Sequence, residues 1–110
     1  MQALLEKSNI PTAIMAADDG MAVGVLSALK DAGLDVPGKV SVTGFDDIEL
    51  SEYLVPALTT IRQPIEEMAI AATDMLIKLI NKQPLTEKEL SITLEPKLIL
   101  RDSTGPVYKD

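Results

Sequence analysis

Cysteine and histidine are both absent from this chain of 110 residues. Without cysteine there is no disulfide framework and no thiolate nucleophile. Without histidine the commonest metal ligand and general base is missing, which disfavours most hydrolytic and zinc chemistries. Basic charge is scarce too: 10 Lys+Arg stand against 17 Asp+Glu, for a net charge of −7. The basic residues are scattered singly, so the chain carries no electrostatic footprint for DNA or RNA. No run approaches the ~20 apolar residues of a membrane span. The opening MQALLEKSN lacks the basic start, apolar middle and small-residue exit of an export signal. A soluble cytoplasmic protein is the expectation, although a missing signal says little if the chain belongs to a longer one.

Apolar residues are plentiful, at 46%, and a lone domain of this length buries roughly two-thirds of its unfolded surface. The most informative feature is a pair of acidic doublets, Asp18-Asp19 and Asp46-Asp47. Each follows a short apolar run, TAIMA (12–16) and VSVTG (40–44), and each leads into a helical pattern. In an open parallel α/β sheet the strand ends are the ligand edge. Paired acceptors at that rim suit a hydroxyl-rich small molecule or a cation. Asp18 and Asp46 are also placed to cap helices, and Asp46 with Glu49 makes a D-x-x-E capping pattern. Asp19 and Asp47 read as caps or structural carboxylates.

Along the chain, residues 2–7 read as the end of a helix. The strand 12–16 is continuously apolar, as a strand buried on both faces should be. A helix from Asp19 to about Ala32 ends at Gly33, a left-handed terminator. Pro37-Gly38 then turns the chain into the strand Val40 to Thr43, completing a βαβ crossover. On the 19–32 helix, Ala22, Val25, Leu26 and Leu29 form the stripe that should cover the sheet, with Val23, Ser27 and Lys30 to one side. Val23 is either a lone exposed valine or part of a second face that meets another subunit. A short helix at about 48–54 precedes Pro56, and LTTIRQP reads as a strand stopped by Pro64. From Ile65 to about Asn81, apolar positions 65, 68, 69, 72, 76, 79 and 80 follow helical spacing. The stretch KQPLTEKE reads as a polar loop, and SITLEPKLILRDS as two extended segments separated by Pro96. This is a poor complete sheet for so amphipathic a helix as 65–81 to cover.

The segments PTAIMAADDGMAVG, GLDVP, VSVTGFDD and PALTTIRQP, in this order and spacing, resemble the carboxy-terminal stretch of a LacI/GalR-family transcriptional repressor. The tail LEPKLILRDST extends the similarity over nearly the whole chain. The resemblance implies a partial doubly wound parallel α/β sheet of the type I periplasmic-binding-protein-like kind, truncated. Residues 1–62 would belong to the distal effector-binding subdomain, 63–98 to the proximal one, and 99–110 would return to the distal one. It implies a sensor and not an enzyme, with no cofactor and no metal. The effector, a sugar by expectation, would be held by Asp18 and Asp46. Gln63 at the crossover would either line the cleft or bond only backbone. Val23, Ser27 and Leu54 would form part of a two-fold homodimer contact, and operator DNA would be met only through an amino-terminal domain absent from this chain.

Two rivals share some of these features. A periplasmic sugar-binding protein of a transport system has the same fold and a similar helix start. A phosphoacceptor receiver domain also has acidic residues at a strand end, holding Mg²⁺. It needs a lysine beyond a late strand, however, where this chain has Arg62.

Overall fold

The computed structural model describes residues 5, 6 and 10–107. In chain order the elements are β1 (Ala13–Met15), α1 (Asp19–Asp31), β2 (Ser41–Thr43), a 3-10 turn (Glu49–Glu52), β3 (Thr60–Arg62), α2 (Ile65–Ile80), α3 (Glu87–Leu90) and β4 (Lys97–Ile99). They group into two compact units, one of residues 1–62 with 98–110 and one of residues 63–97. No helix among the described residues is long and apolar enough to cross a membrane.

In the first unit β1 and β2 pair in parallel, Ala13 opposite Ser41 and Met15 opposite Thr43. The connection between them is α1, and its ends follow from local chemistry. Asp18 is the N-cap, its carboxylate accepting from the Met21 N–H at 2.6 Å. At the other end Gly33 takes φ +69°. The Gly33 N–H donates to the Lys30 carbonyl and the Leu34 N–H to the Leu29 carbonyl, the Schellman arrangement for which glycine carries no Cβ penalty. The expected stripe on α1 does face inward. Ala22 and Leu29 are fully buried with Val40, Val42 and Leu58, and Val25 and Leu26 pack against them. Beyond β2 the parallel alignment continues, with bridges from Thr43 to Thr59 and from Asp46 to Arg62, so that β3 runs beside the chain leaving β2. β4 then pairs with β3.

The tail locks this unit from the far end of the chain. The Val42 N–H donates to the Ser103 carbonyl at 2.8 Å, and the Ser103 hydroxyl donates to the Val42 carbonyl at 2.6 Å. The same hydroxyl oxygen accepts the Thr59 N–H at 2.8 Å. Ser103 is completely buried, and every polar atom it takes out of water is thereby partnered, as burial requires.

Three expectations need correcting. β1 is not buried on both faces: Met15 is 86% exposed, and only Ile14 packs against the core. With one face covered, the strand shows the two-fold alternation of a half-buried strand. In the second unit, KQPLTEKE is not all loop. Thr86 caps the single-turn helix α3 in a reciprocal capping box with Glu89. The Ser91–Glu95 stretch forms no strand, leaving β4 as the extended piece after Pro96. The helix predicted for residues 2–7 lies mostly outside the described residues.

The second unit leaves α2 uncovered, as the shortage of sheet implies. No residue of α2 is buried, and the apolar stripe is exposed, with Ile65 at 61%, Leu76 at 57% and Ile80 at 70%. The half-buried positions are Ala71, Met75 and Lys78, along one flank of that stripe. There Lys78 pairs with Glu89 of α3. The Lys78 ammonium and the Thr86 cap together hold the Glu89 carboxyl down at about 2.

Candidate functional site

The two acidic doublets stand side by side at the carboxyl ends of β1 and β2, joined by a hydrogen bond from the Asp19 N–H to the Phe45 carbonyl at 2.9 Å. Asp18 and Asp46 are therefore each one residue from a shared contact. Within each doublet the second residue is committed to the scaffold. Asp19 is fully buried. Its Oδ2 accepts from the Ile48 N–H at 3.0 Å and the Ser51 hydroxyl at 2.5 Å, and its Oδ1 accepts from the Thr60 hydroxyl at 2.5 Å. These bonds tie the end of β1 to the 3-10 turn and to β3. The close approach requires glycine at position 44, because a Cβ there would lie 2.2 Å from Asp19 Oδ1.

Asp47 is committed differently. Its side chain is 4% exposed and accepts from Arg62 Nε and, at 2.7 Å, from Arg101 Nη2. Arg101 is held in turn by the Leu58 carbonyl at 2.8 Å. Burial pushes the Asp47 carboxyl upward, but the hydrogen bonds and charges of Arg101 and Arg62 outweigh it and hold the group below the usual aspartate value. Neither arginine was identified from the sequence as a site residue. Arg62 entered only as the residue standing where a receiver has lysine, and a partner 54 residues away leaves no local signal.

The first residue of each doublet is half-buried at the edge. Asp18 spends Oδ1 on its cap, which leaves the acceptor capacity of a second carboxylate oxygen. Asp46 does not act as the N-cap that D-x-x-E suggested: the 3-10 turn has Ile48 at its N-cap and no side-chain cap bond. The reason is that Asp19, from another strand, already accepts the Ile48 N–H. Asp46 instead takes φ +112°, followed by Asp47 at +55°. A non-glycine residue in such a conformation costs of order 1–3 kcal/mol and persists only where its surroundings hold it. Here the Asp46 N–H is held by the Ile61 carbonyl at 2.9 Å. Gln63 belongs to the second unit, its carbonyl accepting from the Ile65 N–H at 2.9 Å.

The other three candidate residues come together within the first unit. Val23 and Ser27 of α1 and Leu54 after the 3-10 turn line one groove of about 650 Å³, with Leu26, Val36 and Val55. Val55 is 96% exposed. Among the described residues, no group of three or more acidic, histidine or cysteine side chains could hold a metal ion.

Parallel strands that end in paired carboxylates, followed by a capped helix, define an α/β domain of the sort that receives ligands beyond its strand ends. The profile of the periplasmic binding protein-like domain family matches residues 1–104, and the chain belongs to that family. It is 40% identical over 105 residues to the HTH-type transcriptional regulator GalR of Escherichia coli (strain K12), covering 96% of this chain and 30% of GalR. A LacI family transcriptional regulator from Lactobacillus casei, solved with bound sucrose, superposes with a TM-score of 0.77 at 32% identity, covering 94% of this chain and 38% of that one. The dimeric Lac repressor with an 11-residue C-terminal deletion superposes at 0.79 and 34% identity, covering 89% and 35%. The chain thus spans about 30% of the length of the curated relatives it matches. These relatives are transcriptional regulators. The receiver reading fails on this family membership and on geometry, since the buried carboxylate Asp19 is fully engaged by protein donors.

Proposed function

We propose that this chain is part of the effector-sensing domain of a LacI/GalR-type regulator. In this reading it contributes one wall of a site for a small hydroxyl-rich effector, a sugar. The observation that carries the reading is the strained backbone of Asp46 at φ +112°, at the carboxyl edge of parallel strands where such sheets receive ligands. An ionised carboxylate accepts two hydroxyl donors at once through bonds about twice as strong as neutral ones. Asp46 is the principal acceptor, and Asp18 assists it. Residues 1–62 and 98–110 correspond to the distal subdomain, and 63–97 to the proximal one. Operator DNA is met through a domain in sequence outside this chain, in the cytoplasm. The sucrose-bound relative supports a sugar, and the regulators among the relatives do not favour the transport reading.

Replacing Asp46 tests this in the intact protein. Asp46→Ala should cost ~1.5–3 kcal/mol of sugar binding in calorimetry, the scale of a charged hydrogen bond. Asp46→Gly should lose binding equally while leaving thermal stability unchanged or slightly raised, because glycine accepts the positive φ without strain. A glycine variant that binds normally but melts early would overturn the assignment.

The groove of Val23, Ser27 and Leu54 forms part of a two-fold contact between copies, as the dimeric state of the solved Lac repressor supports. Val23→Glu should place a charge in that contact and yield monomers by sedimentation, with circular dichroism preserved. A variant that stays dimeric would move the interface elsewhere.

A further inference from the structure

We propose that buried Asp19 is a positioning residue that couples the effector edge to the dimer groove. The inference rests on the reading of both as given under Proposed function. Two segments of the first unit each have one end at the acidic edge and the other on the groove. In α1 the N-cap is Asp18, and Val23 and Ser27 lie farther along. The second segment leaves Asp46 and Asp47, passes through the 3-10 turn Glu49–Glu52, and arrives at Leu54 and Val55.

Asp19 fastens these segments together at their edge ends. It sits in the first turn of α1 and accepts from the Ile48 N–H and the Ser51 hydroxyl of the second segment. Ser51 is completely buried. Its carbonyl also accepts the Leu58 N–H at 2.8 Å, so the turn has a fixed seat from which a shift is passed on to Leu54. Because Asp19 bonds α1 to Ile48 and Ser51, a displacement of the Asp46–Asp47 turn is carried to α1 as well as to Leu54, and so to both sides of the groove. A change in the Asp46–Asp47 turn therefore alters how well two copies fit, and by linkage the fit of two copies alters the turn.

This coupling can be read without an effector, by a double-mutant cycle on the dimer dissociation constant of the intact protein measured by sedimentation. Asp46→Gly releases the strained turn, and Ser51→Ala removes the hydroxyl that ties the turn to Asp19. With Ser51 present, Asp46→Gly should shift the dissociation constant by about fivefold, within the usual range for coupled neighbours. With Ser51→Ala the same replacement should shift it by less than about twofold, and Ser51→Thr, which keeps the hydroxyl, should restore the shift. A purely structural hydroxyl would weaken the fold but leave the two effects additive. Additive effects in a protein that dimerises through Val23 would overturn the coupling alone. A protein that stays dimeric with Val23→Glu, or never dimerises, would overturn the groove reading and the coupling with it.

Discussion

In the unit of residues 1–62 and 98–110, Leu29, Val42 and Leu58 are completely buried, and its buried polar groups Asp19, Ser51, Thr59, Thr60 and Ser103 are all hydrogen-bonded to one another or to backbone. In the unit of residues 63–97, a longer and more apolar helix has no buried residue, and the polar bonds cluster around one ion pair and one cap. Apolar content therefore does not decide which unit has a core. What decides is whether strands and a helix of the same unit face each other. α1 has a sheet to cover, whereas α2 turns toward α3 a face that includes Ile70, Ala71, Met75 and Lys78, and leaves Ile65, Leu76 and Ile80 exposed.

The contrast is sharpest at Asp19. Asp19→Ala strips the acceptor from two buried hydroxyls and one backbone N–H, each worth ~1–3 kcal/mol when left unpaired. Urea denaturation should show a loss of about 4 kcal/mol or more. Leu76→Ala on the exposed stripe of α2, at 57% exposure, should change stability by no more than ~0.5 kcal/mol. Comparable losses at the two positions would mean that the stripe is covered after all.

Acid should separate the units next. Asp47 has its carboxyl held below the usual value, so its contribution is fully present above the unfolded aspartate value and is lost as pH falls through the lower folded one. Asp47→Asn should cost ~1.5–3 kcal/mol at neutral pH, the scale of a charged hydrogen bond. It should also flatten the acid limb of the stability profile. An unchanged acid limb would assign that limb to other carboxylates.

The smallest effect belongs to the second unit. Glu89, lowered from 4.5 to about 2, holds α3 above its unfolded value and should release it as pH falls through about 2. Amide exchange at residues 87–90 should accelerate over that range, and Glu89→Gln should show fast exchange at every pH. Slow exchange in the glutamine variant would leave the Lys78 pair without a role in ordering α3.

Much of the first unit is legible from local pattern. The N-cap at Asp18, the terminator at Gly33 and the inward stripe of Ala22 and Leu29 are consequences of neighbours within one turn. The structural roles of Asp19 and Asp47 are legible in outline, although the cap of α1 falls to Asp18 and not to Asp19. What escapes a sequence reading is long-range pairing. Arg101 reaches Asp47 across 54 residues and Ser103 reaches Val42 across 61, and no periodicity reports either. The Thr86–Glu89 box is visible as T-x-x-E, but the polar residues around it carry no apolar periodicity to mark a helix. The exposed stripe of α2 agrees with the shortage of sheet for it to cover, but periodicity does not report that α3 packs along its flank.

Ser103 also sets a clock. Both the N–H and the carbonyl of Val42, in the middle of β2, are satisfied by a residue 61 positions later. On a ribosome adding ~5–20 residues per second, β2 waits roughly 3–12 s for that partner. The whole of residues 63–97 is made during the wait. The first unit to begin is thus the last to be completed, and through that interval a nascent chain carries a half-bonded inner strand. A chaperone that recognises open strand edges would find its substrate in this window and lose it once the Ser103 hydroxyl is seated.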